Sequence, residues 1–183
     1  MADGPDLDSL AARACRGDAE AFAALHDALA PRLYRYVRMR VRDPDDTADL
    51  VQQVFLKMVE ALPRYQPRGV PFAAWAFRLT RNAVIDRART VHPSHQLEYA
   101  SGASSTDPGP EEQALLASEV ERIRRAIEDL TPEQQEVVRL RFFGGLEPRE
   151  VGAVLGRRAG AVRALQFRAL EALRRTLAAE ERP

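Results

Sequence analysis

The chain has 183 residues, 45% of them hydrophobic, which is enough for one ordinary domain or two small ones and argues against disorder throughout. Cys15 is its only cysteine, so an internal disulfide and a thiolate metal cluster are excluded. The N-terminus is acidic, and no apolar run approaches the roughly 18 residues of a membrane helix. We therefore expect a cytoplasmic protein without direct membrane insertion.

The charged residues come in blocks, although the formal net charge is +0. Residues 32–42 contain five arginines and no acid, and residues 43–60 contain five acids. Residues 64–89 then contain six arginines against Asp86. Lys57 is the only lysine. This preference for arginine suits bidentate contacts with phosphates and bases, and the alternative explanation is a GC-rich genome. Basic surfaces thus alternate with acidic ones, which leaves binding to nucleic acid open for a neutral chain.

The N-terminal part of the chain predicts a tail followed by two consecutive helical pieces. Residues 1–16 are assigned to the tail. Asp18 can cap the first helix, which carries the apolar residues Phe22, Leu25 and Leu29. Pro31 then begins a second piece, whose apolar residues are Leu33, Tyr36, Val37 and Val41.

The strongest predicted helix follows at Asp43. Its carboxylate can serve as the N-cap, and Pro44 suits the first helical position. The apolar face of this helix comprises Leu50, Val51, Val54, Phe55, Met58, Val59 and Leu62. We expect the helix to stop at Pro63, before a loop to Pro71 and a further helix over residues 72–89.

Two domains are predicted, residues 17–90 and residues 115–178, with a linker of residues 91–114 between them. The linker is rich in Ser, Gly and Pro and contains acids but no Lys or Arg. The β-branched alternation that is typical of strands is missing along the chain. The predicted fold is therefore all-α, with two small helical domains joined by a flexible linker.

The second domain is predicted to begin with a helix over residues 115–130. Thr131 and Gln134 then form a capping box around Pro132, which indicates the start of another helix. This helix is expected to end at the glycine pair 144–145.

The last part of the chain predicts a helix-turn-helix that begins at Pro148, with Gly156 in its turn. The apolar residues of its two helices are Val151, Val154 and Leu155, then Val162, Leu165, Ala169 and Leu173. Arg163, Ala164, Phe167 and Arg168 are left together on the outward face. In the DNA major groove, arginine can pair bidentately with guanine and an apolar group can contact a thymine methyl. The alternative is a solvated basic helix packed on its neighbours, and the preceding helix and turn favour DNA binding over it.

Arginines and aromatic residues also interleave within residues 63–89. This pattern suits single-stranded DNA, because arginines follow phosphates, rings stack on unpaired bases and an amide can read a flipped base. Phe72, Trp75 and Leu79 have the helical spacing of core residues, which is the simpler interpretation for them. The better candidates for DNA contact are Arg78, Arg81 and Asn82.

Four segments of the chain resemble regions 2 and 4 of bacterial sigma factors of the extracytoplasmic-function (ECF) group: DDTADLVQQVFLKMVEALPRY, FAAWAFRLTRNAVIDRAR, LTPEQQEVVRLRFFGGLEPREVGAVLG and GAVRALQFRALEALRR. Each segment alone is moderately specific, whereas both domains in this order and at this spacing form a specific pattern. The resemblance implies an alternative sigma factor that binds the beta and beta-prime subunits of core RNA polymerase. Such a factor recognises the minus-ten and minus-thirty-five elements of promoter DNA and promotes promoter melting, and an anti-sigma factor is its expected partner.

The resemblance also assigns roles to individual residues. The core polymerase-binding motif falls on Asp49, Leu50, Gln52 and Gln53, where Gln53 replaces the usual Glu. The minus-ten contacts fall on Tyr65, Arg68, Arg78, Arg81 and Asn82, and the loop of residues 63–71 together with Asn82 is expected to capture and read a flipped base. The minus-thirty-five contacts fall on Arg157, Arg158, Arg163, Ala164, Phe167 and Arg168.

Three positions of the helix-turn-helix depart from the family pattern. Arg158 stands where a serine often caps the recognition helix, Leu165 where arginine often stands, and Gln166 where an apolar residue is usual. The missing cap is expected to cost about 1 kcal/mol of helix stability. The minus-thirty-five sequence therefore cannot be predicted from this chain.

No catalytic chemistry is predicted, because the chain has no Gly-rich phosphate loop, catalytic triad order or metalloprotease motif. We expect no enzyme activity, no catalytic residues, no cofactor, no metal site and no small-molecule substrate. His92 and His95 have a metal-like spacing, but they lie in the predicted linker without a third ligand. Two alternatives stay open, a free-standing helix-turn-helix transcriptional regulator and a polymerase-binding adaptor that contacts no DNA.

Overall fold

A computed structural model describes residues 5–66, 69–90 and 110–180. Their α-helices are α1 (Leu7–Ala14), α2 (Ala19–Arg38), α3 (Pro44–Ala61), α4 (Phe72–Thr90), α5 (Pro110–Glu128), α6 (Pro132–Val138), α7 (Pro148–Leu155) and α8 (Ala159–Glu180). A 3₁₀ turn (Leu62–Arg64) follows α3, and a π-helical turn (Arg139–Phe143) follows α6. The described ranges contain no β-strand, which confirms the all-α prediction. None of the helices in these ranges combines the length and apolar character that crossing a membrane requires.

Part of the predicted N-terminal tail is a helix, α1. Asp6 caps α1 by accepting two backbone N–H groups of its first turn, at 3.1 and 3.3 Å. Ala11 and Ala14 are buried in the core of the first domain. The carboxylate of Asp8 accepts the backbone N–H of Phe72 at 2.6 Å, so α1 also holds the start of α4. Residues 7–14 of the predicted tail therefore form a helix that packs against the first domain.

One continuous helix, α2, replaces the two pieces that were predicted on either side of Pro31. Asp18 is its N-cap, as predicted, and accepts the N–H of Ala21 at 3.0 Å. The buried stripe of α2 continues past the proline and includes Leu25, Leu29, Leu33, Tyr36 and Val37. Pro31 itself is exposed. Because proline has no N–H, the carbonyl of Asp27, four residues earlier, accepts no hydrogen bond within the helix, and this carbonyl lies on the water-facing side. Burial of five large side chains, at about 1.5–3 kcal/mol each, outweighs the roughly 3 kcal/mol that an internal proline costs.

The start of α3 agrees with its prediction. Asp43 accepts the N–H of Asp46 at 2.8 Å, and Pro44 occupies the first helical position. The residues of α3 that enter the core are Leu50, Val51, Val54, Phe55 and Met58. Val59 was predicted on this apolar face and is instead 49% exposed. Its position leaves it at the edge of the buried stripe, where it faces solvent.

The helix predicted over residues 115–130 corresponds to α5, which begins at Pro110, inside the range assigned to the linker. The capping box of α6 is present as predicted, with Thr131 and Gln134 each accepting the other's backbone N–H. The helix predicted from Pro132 to the glycine pair is α6 followed by the π-helical turn. His92 and His95 lie outside the described residues.

The predicted helix-turn-helix is formed by α7 and α8. Gly156 ends α7 with φ +66°, a left-handed conformation that glycine adopts without steric cost. Gly152 serves a different purpose, because a Cβ atom there would stand 2.5 Å from the carbonyl oxygen of Arg157. Val151 and Val162 are fully buried between the two helices. The turn therefore depends on the left-handed conformation of Gly156 and on the close approach of the Gly152 backbone to that of Arg157.

The two domains pack against each other, an arrangement that we call the closed arrangement. α2 and α4 of the first domain contact the π-helical turn and α7 of the second. Arg32 donates to the carbonyls of Gly144 and Gly145 at 2.9 and 3.1 Å. Phe77 and Leu140, one from each domain, are fully buried in the same hydrophobic core. This contact between the domains was not part of the sequence prediction.

Candidate functional site

The first candidate surface is the exposed face of α3. Asp49, Gln52 and Gln53 are all exposed, and their spacing places them on one side of the helix. Leu50 is only 4% exposed and packs in the core, so it holds the helix in place and does not face a partner. Leu56 lies one turn beyond Gln52 and Gln53 on the same side and is 65% exposed. Leu56 was not predicted as a site residue, although the sequence places it as an apolar residue seven positions after Asp49.

The second candidate surface is a pocket of about 350 Å³ beside the start of α4. Its lining residues are Arg64, Tyr65, Gln66, Val70, Trp75 and Arg78. The ring of Tyr65 lies 4.9 Å from that of Trp75 and 5.3 Å from that of Phe72, centroid to centroid. Burial raises the pKa of Tyr65, so its hydroxyl stays protonated at neutral pH and can donate a hydrogen bond. Aromatic rings flanked by guanidinium groups suit an unpaired base with its phosphates.

The other predicted minus-ten residues lie at different places along α4. Arg78 lines the pocket and also donates to the carbonyl of Ala153, in the second domain, at 2.5 Å. Arg81 is turned toward the second domain, and its Nε lies 3.5 Å from Glu136. Asn82 is exposed one turn after Arg78 and does not line the pocket. Arg68 lies outside the described residues.

The third candidate surface is the outward face of α8. All four residues predicted for this face are exposed: Arg163, Ala164, Phe167 and Arg168. Phe167 is 64% exposed, which is unusual for a large apolar side chain. Leu165 is buried, and the Gln166 side chain accepts a hydrogen bond from Nε of Arg141 at 3.0 Å. Two of the departures from the family pattern therefore serve the packing of the domain.

The turn before α8 carries Arg157 and Arg158. Arg157 forms an ion pair with Glu133 of α6, which ties the turn to the rest of the domain. The backbone carbonyl of Arg158 accepts the N–H of Val162 at 3.1 Å, so Arg158 takes the position of the N-cap. Its exposed guanidinium only donates hydrogen bonds and cannot cap the helix.

A buried carboxylate, Glu136, joins the two domains. It is 7% exposed, and its Oε1 accepts the hydroxyl of Tyr36 at 2.7 Å. Its Oε2 pairs with Arg40, while Arg81 approaches the same carboxylate. Burial raises the pKa of Tyr36, so its phenol remains a donor to Glu136. This group could not be predicted from the sequence, because Tyr36 and Arg40 lie about 100 residues from Glu136.

Comparison with known proteins identifies the family. The model of Sigma-70 region 2 matches residues 25–92, and that of Sigma-70, region 4 matches residues 126–175. The ECF RNA polymerase sigma factor SigD of Mycobacterium tuberculosis is 36% identical over 177 residues, covering 93% of this chain and 84% of SigD. The chain belongs to the ECF sigma factors. It is thus an alternative sigma factor, and the free-standing regulator considered above is excluded.

Other ECF sigma factors share this likeness. ShbA of Streptomyces griseus is 38% identical over 184 residues, covering 92% of this chain and 93% of ShbA. Among solved structures, that of CnrH in complex with the cytosolic domain of CnrY has a TM-score of 0.73 and 27% identity. It covers 96% of this sigma factor and 99% of CnrH, so the likeness includes both domains.

Proposed function

We propose that this sigma factor binds core RNA polymerase through the exposed face of α3, in the cytoplasm and without catalytic chemistry of its own. The proposal depends on one observation: the exposed polar residues Asp49, Gln52 and Gln53 share that face with the exposed apolar residue Leu56. An apolar side chain within a polar rim is the usual composition of a protein interface. Leu50 would act indirectly, by keeping α3 in its place.

The pocket beside α4 is proposed to capture a flipped base of the minus-ten element. Its aromatic rings supply a surface for stacking, and Arg64 and Arg78 stand at its walls for the flanking phosphates. Asn82, one turn away on α4, is proposed to read an edge of a base. Tyr65 and Arg68 are proposed to complete this surface.

The outward face of α8 is proposed to enter the major groove at the minus-thirty-five element. Arg163 and Arg168 can donate to bases or phosphates, and Phe167 and Ala164 offer apolar contacts to thymine methyl groups. Arg157 and Arg158, at the turn, would contact the backbone of the same element.

Promoter reading requires the domains to leave the closed arrangement, because Arg78 and Arg81 are engaged there with the second domain. We propose that binding to core polymerase through its beta and beta-prime subunits separates the domains. An anti-sigma factor is proposed as the opposing partner. The similar protein CnrH was solved with the cytosolic domain of CnrY, which supports a protein regulator of this kind.

The test is binding to purified core polymerase, followed by transcription in vitro over a promoter library. Leu56→Glu places a charge in the proposed interface and is expected to weaken core binding by about tenfold or more. Val120→Glu is the matched control, since Val120 is a 44% exposed apolar residue on a different helix, α5. Equal core binding by both variants would remove α3 from the interface. A library transcribed without sequence preference would refute promoter recognition.

A further inference from the structure

A cavity of about 360 Å³ lies between the two domains, beside Glu136. Arg40, Arg81 and Ile85 of the first domain face Arg139, Arg157 and Leu165 of the second across it. Four of these six residues carry guanidinium groups, and two carboxylates, those of Glu133 and Glu136, also line the cavity. The walls therefore have a formal surplus of two positive charges.

Both carboxylates already have cationic partners. Glu136 is engaged by Arg40 and by the hydroxyl of Tyr36, and Glu133 pairs with Arg157. The cavity thus has no carboxylate left over to pair with its remaining guanidinium, Arg139.

Arg139 carries a buried donor that the fold leaves without a hydrogen-bond partner among the described residues. It is 8% exposed, and its Nε is buried without a hydrogen-bond acceptor among the described residues. Burial, reinforced by the charge of Arg40, lowers the pKa of Arg139 to about 10. Nη1 of Arg40 is likewise buried without an acceptor in the described part of the chain, and the buried Nε of Arg81 lies 3.5 Å from Oε1 of Glu136 without forming a hydrogen bond. Buried donors of this kind are uncommon, because each one costs free energy unless something accepts its hydrogen bond.

The chemistry of the cavity selects its ligand. Guanidinium groups match the geometry and charge of phosphate oxygens and bind them bidentately. A phosphate group carries nearly two negative charges at neutral pH, which balances the surplus on the walls. Ile85, Leu155 and Leu165 add an apolar side that suits a flat ring such as a nucleobase. The volume lies within the range of about 300–1,000 Å³ that is common for small-molecule sites.

We propose that this interdomain cavity binds a small phosphorylated ligand of the nucleotide class. Arg40, Arg81 and Arg139 hold its phosphate, and Ile85 and Leu165 contact its base. Because both domains supply the walls, the ligand stabilises the closed arrangement and keeps Arg81 from DNA. Binding itself is independent of the proposed function; only its inhibitory consequence for transcription rests on that function.

The experiment is calorimetric titration of the purified full chain with ribonucleoside monophosphates and triphosphates, the matching nucleosides and inorganic phosphate. Nucleotides are expected to bind saturably and to raise the melting temperature, while nucleosides do not bind. Arg139→Met is expected to weaken nucleotide binding by about tenfold or more, through loss of charged hydrogen bonds. Arg125→Met is the matched control, because Arg125 is exposed on α5 outside the cavity, and it should bind like the unchanged chain.

A second variant tests whether weaker nucleotide binding by Arg139→Met results only from loss of folding. Ile85→Trp fills the space proposed for the base and keeps the three arginines that are proposed to hold the phosphate. This variant should therefore lose affinity for nucleotides and retain affinity for inorganic phosphate. The proposal is overturned if the folded chain binds no nucleotide, if Arg139→Met binds as tightly as the unchanged chain, or if inorganic phosphate binds as tightly as nucleotides. Binding of DNA oligonucleotides alone would assign these arginines to promoter contacts instead. No polymerase is present, so failure here leaves the proposed function untouched.

Discussion

Replacing Glu136 with glutamine is expected to open the closed arrangement. The amide has the shape of the carboxylate and can still accept the 2.7 Å hydrogen bond from Tyr36. It removes the negative charge that faces Arg40 and Arg81. Those two guanidinium groups would then face each other and Arg139 without a compensating anion.

The size of the effect follows from the burial of the partners. The side chains of Glu136 and Arg40 are 10% and 19% exposed, so their pair is poorly screened by water. Loss of one charge from such a pair costs several kcal/mol when it is fully buried, and a charge-assisted hydrogen bond alone contributes about 1.5–3 kcal/mol. Arg81 is 37% exposed and adds little. We therefore expect about 2–3 kcal/mol, or a shift of roughly 30- to 150-fold toward separated domains.

Small-angle X-ray scattering of the free chain measures this opening directly. Glu136→Gln should increase the radius of gyration, while Glu171→Gln, a change at an exposed glutamate of α8, should leave it unchanged. A double-mutant cycle with Arg40→Met should show that the two changes are not additive. An unchanged radius of gyration for Glu136→Gln would refute the view that this ion pair holds the domains together.

Four further changes test local features by chemical unfolding. Gly156→Ala is expected to lose about 1–2 kcal/mol through its left-handed backbone, and Gly152→Ala to lose more, because its Cβ meets a backbone carbonyl at 2.5 Å. Asp8→Ala removes the carboxylate that accepts the N–H of Phe72 and should cost about 0.5–2 kcal/mol. Arg139→Met is expected to stabilise the ligand-free chain by about 1–3 kcal/mol at neutral pH, since burial disfavours the charge that it removes.

Each of these expectations has an outcome that contradicts it. If Gly156→Ala lost more stability than Gly152→Ala, the left-handed φ of Gly156 would matter more to the stability of the turn than the close approach of Gly152 to the backbone of Arg157. Asp8→Asn keeps an acceptor and should recover part of the stability lost in Asp8→Ala. For Arg139 the sign of the pH dependence is an additional check. Its pKa is lowered in the fold, so its destabilising effect is present below pH about 10 and declines as the pH rises through that value.

Local features of this fold were predictable from sequence because each depends on residues only a few positions apart. The caps at Asp18, Asp43 and Thr131 form between a side chain and a backbone N–H within the same first turn. The left-handed turn at Gly156 is equally local. The outward face of α8 follows from helical periodicity, since the core side is fixed by Val162 and Leu165.

Features that depend on distant packing were not predictable in the same way. α1 buries mainly alanines, whose weak hydrophobic signal did not distinguish a helix from a tail. Pro31 suggested a break because its local cost is evident in the sequence, whereas the stripe that outweighs it is buried only in the folded domain. The partners of Glu136 are close only after both domains have formed.

The residues that hold the closed arrangement and those proposed to read the promoter overlap at Arg78 and Arg81. In the closed arrangement both guanidinium groups are held beside the second domain, so we expect the two uses to compete. When only a fraction of a protein is in its binding-competent state, its apparent affinity falls by that same fraction. We therefore expect the free chain to bind the minus-ten element weakly even though its reading surface is intact. The contacts made by Glu136 are sufficient, and under the proposed function core polymerase would relieve them by binding the separated domains more tightly than the closed ones.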